Sequence, residues 1–399
     1  MKISKCRRLF NGFGFIAGII SILISCTSQD AKRIQSEIDN IAVKWVPDGR
    51  LGICSIMAKS GNRGSIILTG ETTSSSAKQE IIKTLDNQHI HLIDSIIILP
   101  DTIRNERFMG LATLSVINLR KHPAHSSELV SQAILGTPVL ILKDEDSWFL
   151  IQTPDNYIAW TDKTSVVPMS RLDMINWKNT GRVIYLGSSG WIYNNSSGDS
   201  GVVGDLVEGS ILEKVGESGG YSKVKLPDGR EGFVEKNRLL DFNQWKNAVS
   251  CTEENVSLIA GKFFGVPYLW GGTSIKGVDC SGFVQSVFFM NGLILSRDAS
   301  LQALQGLKVD ISNGYSLLKN GDLLFFGSRE NEILYVTHVA IYEGNNEYIN
   351  SSGRVIVNSL DSTRINFVSY RIHSLLEARR IIGTDNDNGI VPVAKHPWY

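Results

Sequence analysis

Along residues 106–241 apolar and polar side chains alternate in short runs broken by Gly, Pro and Asp, while the segments on either side also carry wider, helix-like spacings. A period of two marks half-buried strands, and recurrence every three to four residues marks amphipathic helices. Ahead of the alternating region, "AKRIQSEIDNIAVKWV" reads as a helix, "LGICSIMAK" and "GSIILTGET" as strands, "SSAKQEIIKTLDN" as a capped helix and "IHLIDSIIILP" as a third strand. These predict a small α/β module up to about Pro100 with no catalytic constellation in it.

The alternating region repeats itself. Aligning "ILGTPVLILKDEDSWFLIQTPDNYIAWTDKTSVV" with "LVEGSILEKVGESGGYSKVKLPDGREGFVEKNRLL" at an offset of 73 pairs Gly136 with Gly209, Trp148 with Tyr221, Pro154 with Pro227, Asp155 with Asp228 and Trp160 with Phe233, without a gap. Short strands in a duplicated unit, separated by turn residues, favour two small β-barrels at about 106–170 and 180–241. Tyr157 aligns with Arg230, so the first copy alone carries this tyrosine.

Past residue 245 the pattern changes again. "VSLIAGKFFGVPYLWGGTS" predicts a helix and a Gly-rich turn, and "DCSGFVQSVFFMNG" a helix whose Phe283, Val284, Val287 and Phe288 share one face and which Asn291 and Gly292 end. Cys280 then stands at a helix N-terminus, where unpaired N–H groups and the dipole favour thiolate, so a lowered thiol pKa is expected. A cysteine buried only for packing belongs more naturally on the apolar face. Downstream, "GDLLFFG", "VTHVAIYEG" and "EYINSS" read as strands. His338 taken alone reads as a core histidine, but Asn350 on the next strand can fix its tautomer. Cys280, His338 and Asn350 then follow the logic of nucleophile, base and orienter.

Composition narrows the class of protein. At 399 residues the chain is long enough for two to four domains. Its 40 basic and 40 acidic residues cancel and leave no basic stripe, which argues against a nucleic-acid partner. The N-terminal "MKISKCRRLF" and the apolar run after it have the form of an export signal, and "LISC" resembles a bacterial lipobox ending in Cys26. Loss of residues 1–25 removes four basic side chains, leaving 36 against 40, and a mildly acidic chain held by lipid on Cys26. Cys54, Cys251 and Cys280 then remain, with no CxxC pair to suggest a metal or redox site. A Cys54–Cys251 disulfide stays open.

The ordered motifs "PYLWGG", "DCSGFV", "LSRDAS", "GDLLFF" and "THVAIY" resemble the catalytic domain of the NlpC/P60 cell-wall cysteine peptidases over roughly residues 250–385. With two SH3-like domains ahead of it, the chain is similar to the γ-D-glutamyl-L-diamino acid endopeptidases, the dipeptidyl-peptidase VI group. The resemblance implies an α+β protein whose papain-like NlpC-type domain (245–385) follows a signal peptide (1–25), a small α/β module (26–105) and two SH3-like β-barrels (106–170 and 180–241), with a C-terminal tail (386–399). It makes Cys280 the nucleophile, His338 the base and Asn350 the third polar residue, where many relatives have histidine. Tyr268 and the Cys280 N–H match oxyanion donors; Asp298, Glu128 and Tyr157 match contacts to a substrate ammonium. Trp270, Asp279 and Ser281 are expected to line the pocket. For Tyr268, Glu128 and Tyr157, ordinary packing or solvation is the competing reading.

The implied reaction is hydrolysis, through a thioester, of the γ-D-glutamyl-diamino acid bond of muropeptides with a free N-terminal L-alanine, with no metal or organic cofactor. The protein is expected outside the cytoplasm, anchored to the membrane and more readily periplasmic than on the cell surface. Two rivals come from other classes: a non-catalytic peptidoglycan-binding lipoprotein, and an amidase or acyltransferase on the same fold.

Overall fold

The computed structural model describes residues 16–103, 105–198, 201–384 and 389–399, which fall into two compact units, one ending at Leu99 and one beginning at Pro100. Residues 1–15 of the expected signal peptide and 386–388 of the expected tail lie outside the described residues. Among the described residues, no helix is long and apolar enough to cross a membrane.

The first unit has the expected elements. The helix Ile16–Trp45 and the helix Ser75–Asp86 accompany a three-stranded sheet ordered Cys54–Ser60, Ile66–Thr72, Leu92–Ile98. The first pair is antiparallel and the second parallel, so Ser75–Asp86 is the crossover helix that a parallel pair requires. Ser74 caps that helix, its side chain accepting from the Ala77 N–H, and the core is Ile34, Ile38, Ile56, Ile66, Leu68, Ile81, Leu85 and Ile96.

In the second unit the sequence repeat becomes a repeat of strands. Pro138–Glu145, Trp148–Gln152 and Ile158–Asp162 recur 73 residues later as Ile211–Ser218, Tyr221–Lys225 and Glu231–Glu235, and the 3-10 turn Lys163–Ser165 recurs as Lys236–Arg238. Each copy is a seven-stranded sheet, and equivalent strands have the same neighbours in both. These are the two SH3-like barrels. Gly136 and Gly209 have φ of +80° and +88°, and a side chain on Gly136 would strike the Ile211 carbonyl of the other barrel, 2.2 Å away. A bare left-handed glycine there allows the barrels to touch. Where the first copy has Tyr157, the second has Arg230, which donates to the Thr113 carbonyl of the first barrel at 3.1 Å and ties the copies together.

The rest of the unit forms a six-stranded sheet ordered Leu307–Val309, Leu375–Arg380, Leu323–Glu330, Ile333–Gly344, Glu347–Ser352, Arg354–Ser359. The helix Cys280–Met290 packs on its central strands, and Phe283, Val284, Val287 and Phe288 are fully buried against Val339, Ile341 and Ile349. Asn291 closes the helix as its C-cap, and Gly292, at φ +80°, redirects the chain.

The structure adds to two readings made from the sequence. The described part of the C-terminal segment, expected as a tail, is packed: Val391–Pro392 pairs with Leu293–Ile294, and Val393 and Tyr399 sit in a core with Phe242, Trp245 and Met290. Apolar Ile390, Val391, Val393, Trp398 and Tyr399 give that segment a face to bury. Cys54 and Cys251 are free thiols, so the disulfide left open by the sequence is absent.

Candidate active site

Cys280 is the first residue of its helix, so its own N–H has no partner within the helix. The preceding Asp279 is the cap, its Oδ1 accepting from the Gly282 N–H at 2.7 Å. The sulfur lies within reach of the Val339 and Ser281 N–H groups, and the neighbour of Val339 is His338. His338 and Asn350 stand on adjacent antiparallel strands. Ile341 pairs with Ile349, and this register turns His338 and Asn350 to one face on a diagonal.

Nε2 of His338 and Oδ1 of Asn350 are 2.9 Å apart. The Asn350 amide cannot be turned round without loss, because its Nδ2 donates to the Ile356 carbonyl (3.2 Å) and to Asn358 Oδ1 (2.9 Å). Its oxygen therefore faces the ring, Nε2 carries the proton that it donates, and Nδ1 is left with the lone pair of a base.

Electrostatics changes one expectation. Burial, then the Asp279 carboxylate, push the Cys280 thiol up to about 11, outweighing the backbone N–H groups around the sulfur. The lowering expected from the helix terminus is not found, because only 7% of the cysteine is exposed and the capping carboxylate opposes a second negative charge. Burial, then the Arg371 guanidinium, hold His338 down to about 3. The resting pair is thus a neutral thiol and a neutral imidazole. Tyr268 is held up to about 12 by burial, then by the nearby Cys280 and Asp279, so its phenol keeps a proton to donate.

Asp279 and Ser281, expected to line the pocket, are both held by one buried side chain. Arg297, which sequence reading missed although it lies in "LSRDAS", is 1% exposed and grips Asp279 with two nitrogens, Nη2 to Oδ2 at 2.6 Å and Nη1 to Oδ1 at 3.1 Å. Asp279 Oδ2 also accepts from the Gly271 N–H at 2.9 Å, and Ser281 Oγ accepts from Arg297 Nη1 at 3.0 Å. A buried carboxylate must be matched in this way, so these side chains hold the Cys280 turn against the "PYLWGG" loop and are already occupied.

The first barrel joins the catalytic region at this loop. Trp270 Nε1 donates to Glu128 Oε1 at 3.0 Å, and Arg297 Nε donates to Ser131 Oγ at 3.0 Å. Thr273 N–H donates to Gln132 Oε1 at 3.1 Å. Gly271, at φ +78°, passes so close to the Leu129 carbonyl that a side chain would stand 2.6 Å from it. Trp270 is 60% exposed, Tyr157 is buried, and both Tyr157 and Asp298 are near enough to Arg297 to act on its charge. Asp298 is half-buried at the start of the short helix Ala299–Gln302. Glu128, Trp270 and Tyr268 thus cluster on one loop and its barrel contact, while Tyr157 and Asp298 meet around Arg297.

Cys280 thus opens a helix beside the strand that carries His338, and the His338 ring meets Asn350 on the next strand. The NlpC/P60 family model matches residues 265–373, and that of the bacterial dipeptidyl-peptidase SH3 domain matches residues 119–166. The chain is 29% identical to the γ-D-glutamyl-L-lysine dipeptidyl-peptidase of Bacillus subtilis, over 55% of this chain and 71% of the relative. It is 36% identical to the probable endopeptidase NlpC of Escherichia coli, over 32% of this chain and 81% of the relative. A crystal structure of an NlpC/P60 family protein from Bacillus cereus superposes with a TM-score of 0.59 at 21% identity, covering 69% of this chain and 99% of that one. The chain belongs to the NlpC/P60 family.

Proposed function

We propose that the protein is a cysteine endopeptidase that cuts the γ-D-glutamyl-diamino acid bond of muropeptides with a free N-terminal L-alanine, releasing L-Ala-γ-D-Glu. The observation that carries this reading is the Trp270–Glu128 hydrogen bond, which puts a carboxylate of the first barrel on the loop that also carries Tyr268. A barrel placed there recognises the end of a short peptide and shuts out a longer one. The relatives named for dipeptidyl-peptidase activity support the same reading.

In the reaction, Cys280 passes its proton to His338 Nδ1 as the sulfur attacks the γ-carbonyl. The carbonyl electrons move onto oxygen, where the Cys280 N–H and the Tyr268 hydroxyl receive the charge. Collapse expels the diamino acid amine, which takes the proton from His338 and leaves a thioester. Water, losing a proton to His338, then releases the acyl half and restores the thiol. Glu128, Tyr157 and Asp298 supply oxygens to the L-alanine ammonium.

We also infer export with lipid attachment at Cys26, on the strength of the charged start, the apolar run and the "LISC" stretch. A fatty-acid probe should label the protein in cells and fail to label Cys26→Ala. Labelling that survives the substitution would place the anchor elsewhere.

Mass spectrometry of products from a defined muropeptide panel tests the activity. A free L-Ala-γ-D-Glu dipeptide supports the proposal; a released muramyl sugar points to an amidase, and no product to a binder. Cys280→Ala should reduce hydrolysis by several orders of magnitude.

A further inference from the structure

Arg371 lies on the short helix Ser369–Ser374 and stands out among the cations near the site. Arg297 is committed to Asp279, whereas Arg371 makes no ion pair among the described residues. It rests on apolar and weakly polar neighbours instead. Its guanidinium carbon is 5.4 Å from the centroid of the Phe326 ring and 4.9 Å from that of Tyr370, and Nη2 makes only a long hydrogen bond, 3.4 Å, to Ser352 Oγ. The Phe326 ring also packs on the His338 imidazole, with centroids 5.7 Å apart. Ser352 follows Asn350 by two positions on the same strand, and so faces the same side. One aromatic ring and one strand face therefore link Arg371 to the catalytic base.

A guanidinium held beside a base without a counter-ion is a costly arrangement, since it opposes every proton the base must accept. It makes sense where an anion arrives with the substrate. The scissile nitrogen has to come within reach of His338, and the α-carbon of the diamino acid is bonded to that nitrogen. Its α-carboxylate is thus two bonds from the atom that His338 protonates. A leaving group that ends at the diamino acid brings a carboxylate to this side of the imidazole. The planar fork of an arginine half-exposed on aromatic faces suits such a group.

We infer that Arg371 is a specificity residue that binds the α-carboxylate of the departing diamino acid. This rests on the endopeptidase reading above. Binding there has a second effect, because neutralising Arg371 removes a charge that holds His338 down and so favours proton uptake when the correct leaving group is in place. A substrate offers another carboxylate, on the α-carbon of D-glutamate, which lies on the acyl side three carbons from the carbonyl under attack.

The test uses the full chain and three peptides: L-Ala-γ-D-Glu-L-Lys, the same peptide with a C-terminal carboxamide, and its D-isoglutamine analogue. Wild type should cut the free acid about tenfold or more faster than the carboxamide in kcat/KM, with part of the difference in kcat. In Arg371→Met the ratio of acid to carboxamide should fall close to one, and Arg371→Lys should restore part of it. The ratio of acid to D-isoglutamine peptide should be the same in Arg371→Met as in wild type. Equal cleavage of acid and carboxamide by wild type overturns the assignment, and this comparison holds even if Arg371→Met does not fold. A change confined to the D-isoglutamine ratio also overturns it, by moving Arg371 to the acyl side. Failure of wild type to cut any of the three overturns the endopeptidase reading and the assignment with it.

Discussion

His338 Nε2 and Asn350 Oδ1 are 2.9 Å apart, and the Asn350 amide that makes this contact is itself held by Ile356 and Asn358. One hydrogen bond therefore fixes both the tautomer and the tilt of the base. Asn350→Ala should lower kcat by about tenfold to a hundredfold with KM little changed. Asn350→Asp brings a negative charge to the ring, so it should raise the basicity of His338 and move the acid limb of the rate profile to higher pH. A profile that does not move in Asn350→Asp means that this side chain does not act on the base.

The protonation state of the resting pair is open to direct measurement. With His338 held near 3, its base form survives in the free enzyme well below the ordinary histidine range, and the acid limb of kcat/KM should lie below about pH 5. The same shift bears on stability. Between about pH 6.5 and 3 the unfolded chain takes up a proton that the buried ring refuses, so this contribution is complete above 6.5 and is lost as pH falls through that window. With the thiol near 11, alkylation of Cys280 by iodoacetamide should still be accelerating at pH 9. A rate already level at pH 7 would show a preformed thiolate and refute the neutral pair.

Glu128 tests what the first barrel contributes to recognition. Its side chain is 44% exposed, so Glu128→Ala should leave thermal unfolding nearly unchanged. It should nevertheless reduce cleavage of free-amine peptides by at least about tenfold, since an ammonium loses a charged partner. Peptides whose alanine amine is acetylated or joined to muramic acid should be refused by wild type. Equal cutting of free and blocked peptides, with Glu128→Ala silent, would confine the barrel to spacing or targeting.

Arg297 carries the largest predicted effect on stability. Arg297→Met leaves the Asp279 carboxylate buried without its bidentate partner and should cost about 3–5 kcal/mol. Replacing both, as Asp279→Asn with Arg297→Met, should cost less than the sum of the two single changes. Denaturant unfolding of the four proteins decides this; additive losses would mean that the pair is not coupled.

Much of this architecture is written in local pattern. The offset of 73 residues became two sheets with matching strand neighbours, because strand alternation and turn residues act over a few positions at a time. The helix from Cys280 and its end at Asn291–Gly292 were legible for the same reason, and so was the His338–Asn350 pair, given the two strands that bear them. What the sequence could not supply depends on groups far apart along the chain. Glu128 meets Trp270 across 142 positions, and Ser131 meets Arg297 across 166. The state of Cys280 was misjudged for a related reason. A helix terminus is a local feature that favours thiolate, whereas desolvation is set by everything packed around the sulfur, and here desolvation is the larger effect. The Asp279–Arg297 ion pair was likewise beyond the sequence, because a carboxylate's partner is delivered by the tertiary structure.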